Sequence, residues 1–342
     1  MIPVECALPG EHLAVPMKDL DGASLLVIVY KIAFRTSRSG VVSVDEETPP
    51  TPCLADECYE EYSRRPEQPG DAESSIRRPS DLVAYKPGTD VLLVGNAYPS
   101  NQPHTDVSLR MGPLHKVVRA HGLRVLQAGS FGGLSAGPAR PLREPLPLRW
   151  ELAYGGIDRS DPEKPAQEPR NPLGRGYSRS PKSVIGQPAP QLEDPAHPFG
   201  SSDGGPACFG AIHRHWQPRV SFAGTYDTSW METRMPLLPL DFDDRYHVTA
   251  PSDQWSLRPL LGDEPIEVVG ATAEPSWHVR LPRVSPRFRA QCEGLWQDLP
   301  THLDTVLIEP DRRRVELTFR ASVVLPPKWE RLQAAEIHGE LA

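Results

Sequence analysis

Gly133-Leu134-Ser135-Ala136-Gly137 has the G-x-S-x-G spacing in which a strained strand-to-helix turn lifts a serine out as a nucleophile. The residues that follow, Pro138-Ala139-Arg140-Pro141, oppose that reading. Proline lacks a backbone donor and clashes with the preceding turn, so the required helix cannot start there, and a glycine-rich loop is the simpler expectation. His213-Arg214-His215 puts two imidazoles on one side of an extended segment, as a metal site would. Asp227, Asp241, Asp243 and Asp244 offer carboxylates for a metal or for acid/base work on a glycosidic bond. Acids among prolines and glycines more often bind nearby backbone N–H groups as turn and cap residues. Lys86, in Tyr85-Lys86-Pro87-Gly88-Thr89-Asp90, lacks the Gly-Lys-Ser/Thr helix start of a phosphate loop and reads as a tight turn feeding a strand at Val91. No catalytic residue, metal ligand or cofactor is assigned from these groups.

The elements that would position these residues read mostly as strands. Residues 24–34 are rich in aliphatic and β-branched types, and Asp90-Val91-Leu92-Leu93-Val94-Gly95 is a short apolar run between turn residues. Val107 to Met111 alternates, turns at Gly112-Pro113 and resumes at Lys116, which is a hairpin pattern. A second hairpin runs from Thr305-Val306-Leu307-Ile308-Glu309 through Pro310-Asp311 to Arg314-Val315-Glu316-Leu317-Thr318-Phe319-Arg320. Helix signals are confined to 286–299 and to 328–337, the latter with Gly339 as a stop. Residues 158–206 carry ten prolines and no legible period, so an ordered loop or a connection between two lobes is expected there.

Composition narrows the function classes. The chain has 342 residues and 40 prolines, more than twice the usual proline share of about 5%. Its 38% hydrophobic residues and seven tryptophans still suffice for a core, so a loop-rich folded protein is expected rather than a disordered one. The net charge of −8 and scattered basic residues argue against nucleic acid as a partner. Met1-Ile2-Pro3-Val4-Glu5-Cys6 has neither a basic nor an apolar leader region, and no apolar run is long enough to span a bilayer. Five irregularly spaced cysteines do not form a disulfide framework. A cytoplasmic protein with reduced thiols is the expectation.

Ordered motifs along the chain resemble domain-of-unknown-function family 2169, a bacterial family associated with type VI secretion systems. They are Arg78-Pro79-Ser80-Asp81-Leu82, Tyr85-Lys86-Pro87-Gly88-Thr89-Asp90-Val91, Ala153-Tyr154-Gly155-Gly156 and Asn171-Pro172-Leu173-Gly174-Arg175-Gly176. The stretch from Trp216 to Asp243 follows, then Ala250-Pro251-Ser252-Asp253-Gln254 and Leu303-Asp304-Thr305-Val306. Ala189-Pro190-Gln191-Leu192-Glu193-Asp194 departs from the family's turn, and residues 56–73 do not align with it. The resemblance implies a non-enzymatic adaptor or chaperone. It would bind a toxic effector protein and help load it onto the spike, a valine-glycine-repeat protein with a PAAR-repeat tip.

The expected fold is mainly β: an antiparallel sandwich or partly closed barrel with long proline-rich loops and one or two short helices. Residues 1–330 would form one large unit, or two lobes (1–157 and 207–330) joined by 158–206, with 331–342 as a tail. The expected partner-binding surface is centred on 216–244 with the Tyr85–Asp90 turn beside it. Its residues are Tyr85, Lys86, Asp90, Trp216, Arg219, Tyr226, Asp227, Trp230, Asp241 and Asp243. The competing expectations are a hydrolase or carbohydrate-active enzyme using Asp227, Asp241 or Asp243, and a structural component that stays in the secreted spike.

Overall fold

Alternation along one strand organises the molecule. In Arg314–Val324, Val315, Leu317, Phe319 and Ala321 enter the main apolar core, while Arg314, Glu316, Thr318 and Arg320 occupy the opposite face and are also buried. The computed structural model describes residues 4–59, 74–100, 102–129, 133–325 and 332–341. Arg314–Val324 lies inside a seven-stranded sheet, between Thr301–Glu309 and Ser24–Thr36. Thr89–Leu93 and Trp255–Ser256 extend this sheet on one side, and Glu11–Lys18 and Val42–Val44 both pair with Ser24–Thr36 on the other. Thr89–Leu93 runs parallel to Thr301–Glu309, and the remaining pairs are antiparallel.

A five-stranded sheet holds Leu192–Glu193, Leu114–His121, His104–Met111, Pro265–Val269 and Ser276–Arg280. A four-stranded sheet holds Val4–Cys6, Leu332–Leu341, Val284–Cys292 and Leu295–Leu299. Ile28 and Val306 from the first sheet, Leu109 and Val268 from the second, and Phe288 and Ile337 from the third share one buried cluster. Among the described residues, none of the sheets closes into a barrel, and the architecture is a mainly β sandwich with two short α-helices, Pro181–Val184 and Thr228–Thr233. Among the described residues, no helix is long and apolar enough to cross a membrane.

Both hairpins expected from alternation are present, with Leu114 opposite Met111 and Arg314 opposite Glu309. Both expected C-terminal helices are instead β. The 286–299 stretch forms the antiparallel strands Val284–Cys292 and Leu295–Leu299, turning at Glu293 and Gly294, both with positive φ. Leu332–Leu341 is a strand between Val284–Cys292 and Val4–Cys6, where a tail was expected, and residues 328–331 lie outside the described residues. Residues 158–206 are tied to the sheets at Leu192–Glu193, which pairs with Arg119 and Ala120. The main core draws side chains from both sides of this connection.

The polar face of the seven-stranded sheet is covered by loops held through ion pairs. Lys31 Nζ lies 2.9 Å from Asp81 and 3.0 Å from Glu316. Arg314 meets Glu309 at 2.7 Å, and Asp45 and Glu316 at 3.0 Å. Arg320 pairs with Asp304 at 2.6 Å and donates to the Asp81 and Val83 carbonyls. Burial opposes the charge on Glu316, but Lys31, Arg78 and Arg314 outweigh it and hold this carboxyl below the usual range. Removing one member of such a set strands the others in a dry interior. Glu316→Ala should therefore cost about 3–5 kcal/mol, read as a lower urea midpoint at unchanged slope; an unchanged midpoint would show that the network holds nothing in place.

Candidate docking surface

Residues 222–243 form a loop whose ends meet, since the Asp243 N–H donates to the Phe222 carbonyl at 3.0 Å. The acids of this stretch close it from within. Asp241 accepts from the Thr225 N–H at 2.9 Å and from the Thr225 hydroxyl at 2.7 Å. Asp227 caps helix Thr228–Thr233 by accepting from the Trp230 N–H at 2.8 Å, the usual service of aspartate at this position. Pro236, just past the helix, has no N–H with which to continue it. The Trp230 indole donates to the Leu237 carbonyl at 2.8 Å, and the Tyr226 ring packs edge-on against it at 4.7 Å. Gly224, at φ +80°, passes so close to Pro239 that a Cβ would lie 2.8 Å from the proline Cβ.

The base of the loop is fixed as firmly. Arg234 donates to the Leu238 carbonyl at 2.7 Å and to the Leu20 carbonyl, while Leu237 packs on Gly22. Asp243 caps the short 3-10 turn Asp244–His247 and pairs with Arg245 at 2.6 Å, whose guanidinium lies over the Phe222 ring. Asp241 is held below the usual carboxylate range by its Thr225 hydrogen bonds, and Asp243 by Arg245. Four large apolar side chains stand outward, Tyr226, Met231, Met235 and Leu240 at 52%, 61%, 63% and 74% exposed, with Asp227, Glu232, Asp241 and Asp244 exposed around them.

The structure thus gathers Tyr226, Asp227, Trp230, Asp241 and Asp243 into one unit, with the acids as internal braces. Four other expected surface residues are interior. Lys86 and Asp90 pair at 2.8 Å, and Asp90 also accepts from the Thr249 N–H and hydroxyl. Trp216 meets the Trp150 ring edge-on, and Arg219 donates to the Ile212 and Tyr246 carbonyls. They support the loop from beneath and cannot touch a partner directly while the chain is folded. Tyr85 is exposed, its ring edge against His302. Met231, Met235 and Leu240 were not singled out from the sequence; their signal is large apolar types set between aspartate caps and prolines, where no strand or long helix could bury them.

The remaining chemical candidates do not converge. Ser135 lies in strand Leu134–Ala136 of a small hairpin, its hydroxyl 3.5 Å from the Ala128 carbonyl. His213 is buried with Nε2 2.7 Å from the Ser74 carbonyl, and burial lowers its pKa, whereas His215 is exposed. A cleft of about 330 Å³ is lined by Lys116, Arg170, Asp194, His197 and Asp253 among others, but not by Ser135, Asp227, Asp241 or Asp243. Its charges are paired, Lys116 to Asp253 at 2.8 Å and His197 to Asp194 at 2.9 Å. Among the described residues, no group of three or more His, Cys, Asp or Glu is placed to hold a metal ion.

The model of domain-of-unknown-function family 2169, described as an uncharacterized protein conserved in bacteria, matches residues 21–320. The chain belongs to that family. No curated protein and no solved structure matches it. The matched stretch takes in the whole 222–243 loop and the polar sheet face, and leaves outside it strands Glu11–Lys18 and Leu332–Leu341.

His247 makes the base of this surface sensitive to pH. Burial, then the nearby Lys86, Arg219 and Arg320 charges, push its pKa down to about 3. The unfolded chain takes up a proton here below the ordinary histidine value of about 6.5 that the folded chain refuses. Stability from this residue is therefore complete above pH ~6.5 and is lost progressively as the pH falls toward ~3. His247→Phe should flatten thermal midpoint against pH across that window; a variant curve parallel to wild type would remove His247 as the cause.

Proposed function

We propose that this chain is a non-enzymatic adaptor that binds a type VI secretion effector and helps load it onto the spike. Two supports carry the reading. One is the run of motifs that resembles a family associated with that machinery. The other, and the stronger, is a physical feature: four large apolar side chains held out from a loop that Asp227, Asp241 and the Trp230 indole close from within. Exposed apolar area of this kind marks surfaces that another molecule covers. A loop already closed by its own hydrogen bonds loses little further entropy when a partner docks.

An adaptor acts before export and remains in the producing cell, which separates it from a structural part of the spike. The test is affinity capture of the tagged chain from a producing bacterium, followed by deletion of its gene. The expected result is co-purification of a spike or effector protein whose soluble level falls several-fold in the deletion strain, with the tagged chain absent from the secreted fraction. Capture without any spike or effector protein, or an effector level that ignores the deletion, would overturn the proposal.

A further inference from the structure

Building on that adaptor reading, we infer that the surface formed by Tyr226, Met231, Met235 and Leu240 takes a basic amphipathic segment of the partner. The four side chains protrude from one closed loop: Tyr226 packs on Trp230, Met231 lies in the helix that Asp227 starts, and the Met235 N–H donates to the Trp230 carbonyl. Leu240 is the neighbour of Asp241, whose carboxylate reaches back to Thr225. Methionine is unbranched and polarizable, so two exposed methionines adapt to the side chains of an incoming apolar face. Tyrosine adds a large ring at small entropic cost.

Charge selects among possible occupants. Between 222 and 245 the chain carries five carboxylates, Asp227, Glu232, Asp241, Asp243 and Asp244, against the two guanidiniums of Arg234 and Arg245. Arg234 is turned to the base of the loop, and Arg245 and Asp243 offset each other, which leaves the exposed Asp227, Glu232, Asp241 and Asp244 as an acidic rim. An apolar centre with an acidic rim complements a segment with apolar residues on one side and Lys or Arg on the other. A second copy of this chain would bring the same acidic rim against itself, and an acidic partner would be repelled in the same way.

The probe is a pair of synthetic helical peptides with the same leucine face, one with lysine and one with glutamate on the polar face. Binding to the full chain is followed by fluorescence anisotropy. The lysine peptide should bind and weaken with added salt, and the glutamate peptide should not bind. Met231→Glu with Met235→Glu should lower the lysine peptide's affinity about tenfold or more. These changes add negative charge, so a merely electrostatic attraction would strengthen instead. Glu232→Lys with Asp244→Lys should also weaken it. Thermal midpoints matching wild type would show that both exposed pairs leave the fold intact. Equal binding of the two peptides, lysine-peptide binding that survives the methionine changes, or a dimer that those changes dissolve would each overturn the inference. The adaptor reading fails separately: if the methionine variant still captures the wild-type spike or effector partner, this surface is excluded and the adaptor stands. Peptide binding as expected with no spike or effector captured would leave the surface assigned and remove the adaptor.

Discussion

Arg314, Glu316 and Arg320 stand on one face of the central strand, buried, and most of their partners come from outside it. Arg314 takes Asp45 and the Thr48 carbonyl from one loop, Glu316 takes Arg78 from another, and Arg320 takes the Asp81 and Val83 carbonyls. Asp81 in turn accepts from Lys31 and from the Cys53 N–H, tying the two loops to each other. Such pairs add little net stability, since desolvation consumes most of their Coulomb energy. Their effect here is geometric. An apolar sheet face accepts a covering loop in many registers, whereas this one accepts the register in which each charge finds its partner.

The requirement propagates to the surface. Asp304, paired with Arg320, precedes Thr305, which accepts from Lys86, and Lys86 pairs with Asp90. Asp90 holds the Thr249 backbone, Ile212 donates to the Thr249 carbonyl, and Arg219 donates to Ile212 and Tyr246. The next link is Asp243, which caps the turn containing Tyr246 and closes the exposed loop against Phe222. A chain this rich in proline cannot brace its loops with long helices or regular ladders. It uses side-chain hydrogen bonds to backbone groups instead, and the short acids do most of that work.

Where a strand had one apolar face and a clear turn, it was legible from the residues alone. Thr301–Glu309 with Arg314–Val324 is the example: the apolar period of two is unbroken from Val315 to Val323, an apolar run Val306-Leu307-Ile308 precedes it, and Pro310-Asp311 marks the turn. Leu332–Leu341 was not legible, because Leu, Gln, Ala and Glu are good helix formers in isolation. Its conformation is set by two neighbouring strands that supply backbone partners and bury Leu332, Ala335 and Ile337. Val284–Cys292 was obscured by Pro286, which sits opposite Gly339. The candidate docking surface was half legible. Caps and turns between 216 and 244 can be read from Asp, Pro and Gly, but which side of a loop faces inward depends on groups far away in sequence. Lys86, Asp90 and Arg219 look like surface charges until the strands place buried opposite charges and carbonyls around them.

On the proposed adaptor reading, the division between internally engaged and exposed groups in the 222–243 loop would bear on how a bound partner is released. Asp227, Asp241, Asp243 and the Trp230 indole are engaged within the loop, so a partner that leaves strands none of them. The free surface to be re-solvated is that of four separate side chains and a salt-screened acidic rim, not an extended dry core. Association on such a surface draws its rate from the rim and its hold from a few anchors. Loss of Met231, Met235, Glu232 or Asp244 would weaken such a complex without disturbing the scaffold, because none of these side chains is among the hydrogen bonds that close the loop. A component that must take up a cargo and later give it away needs that separation between what keeps the loop closed and what holds the cargo.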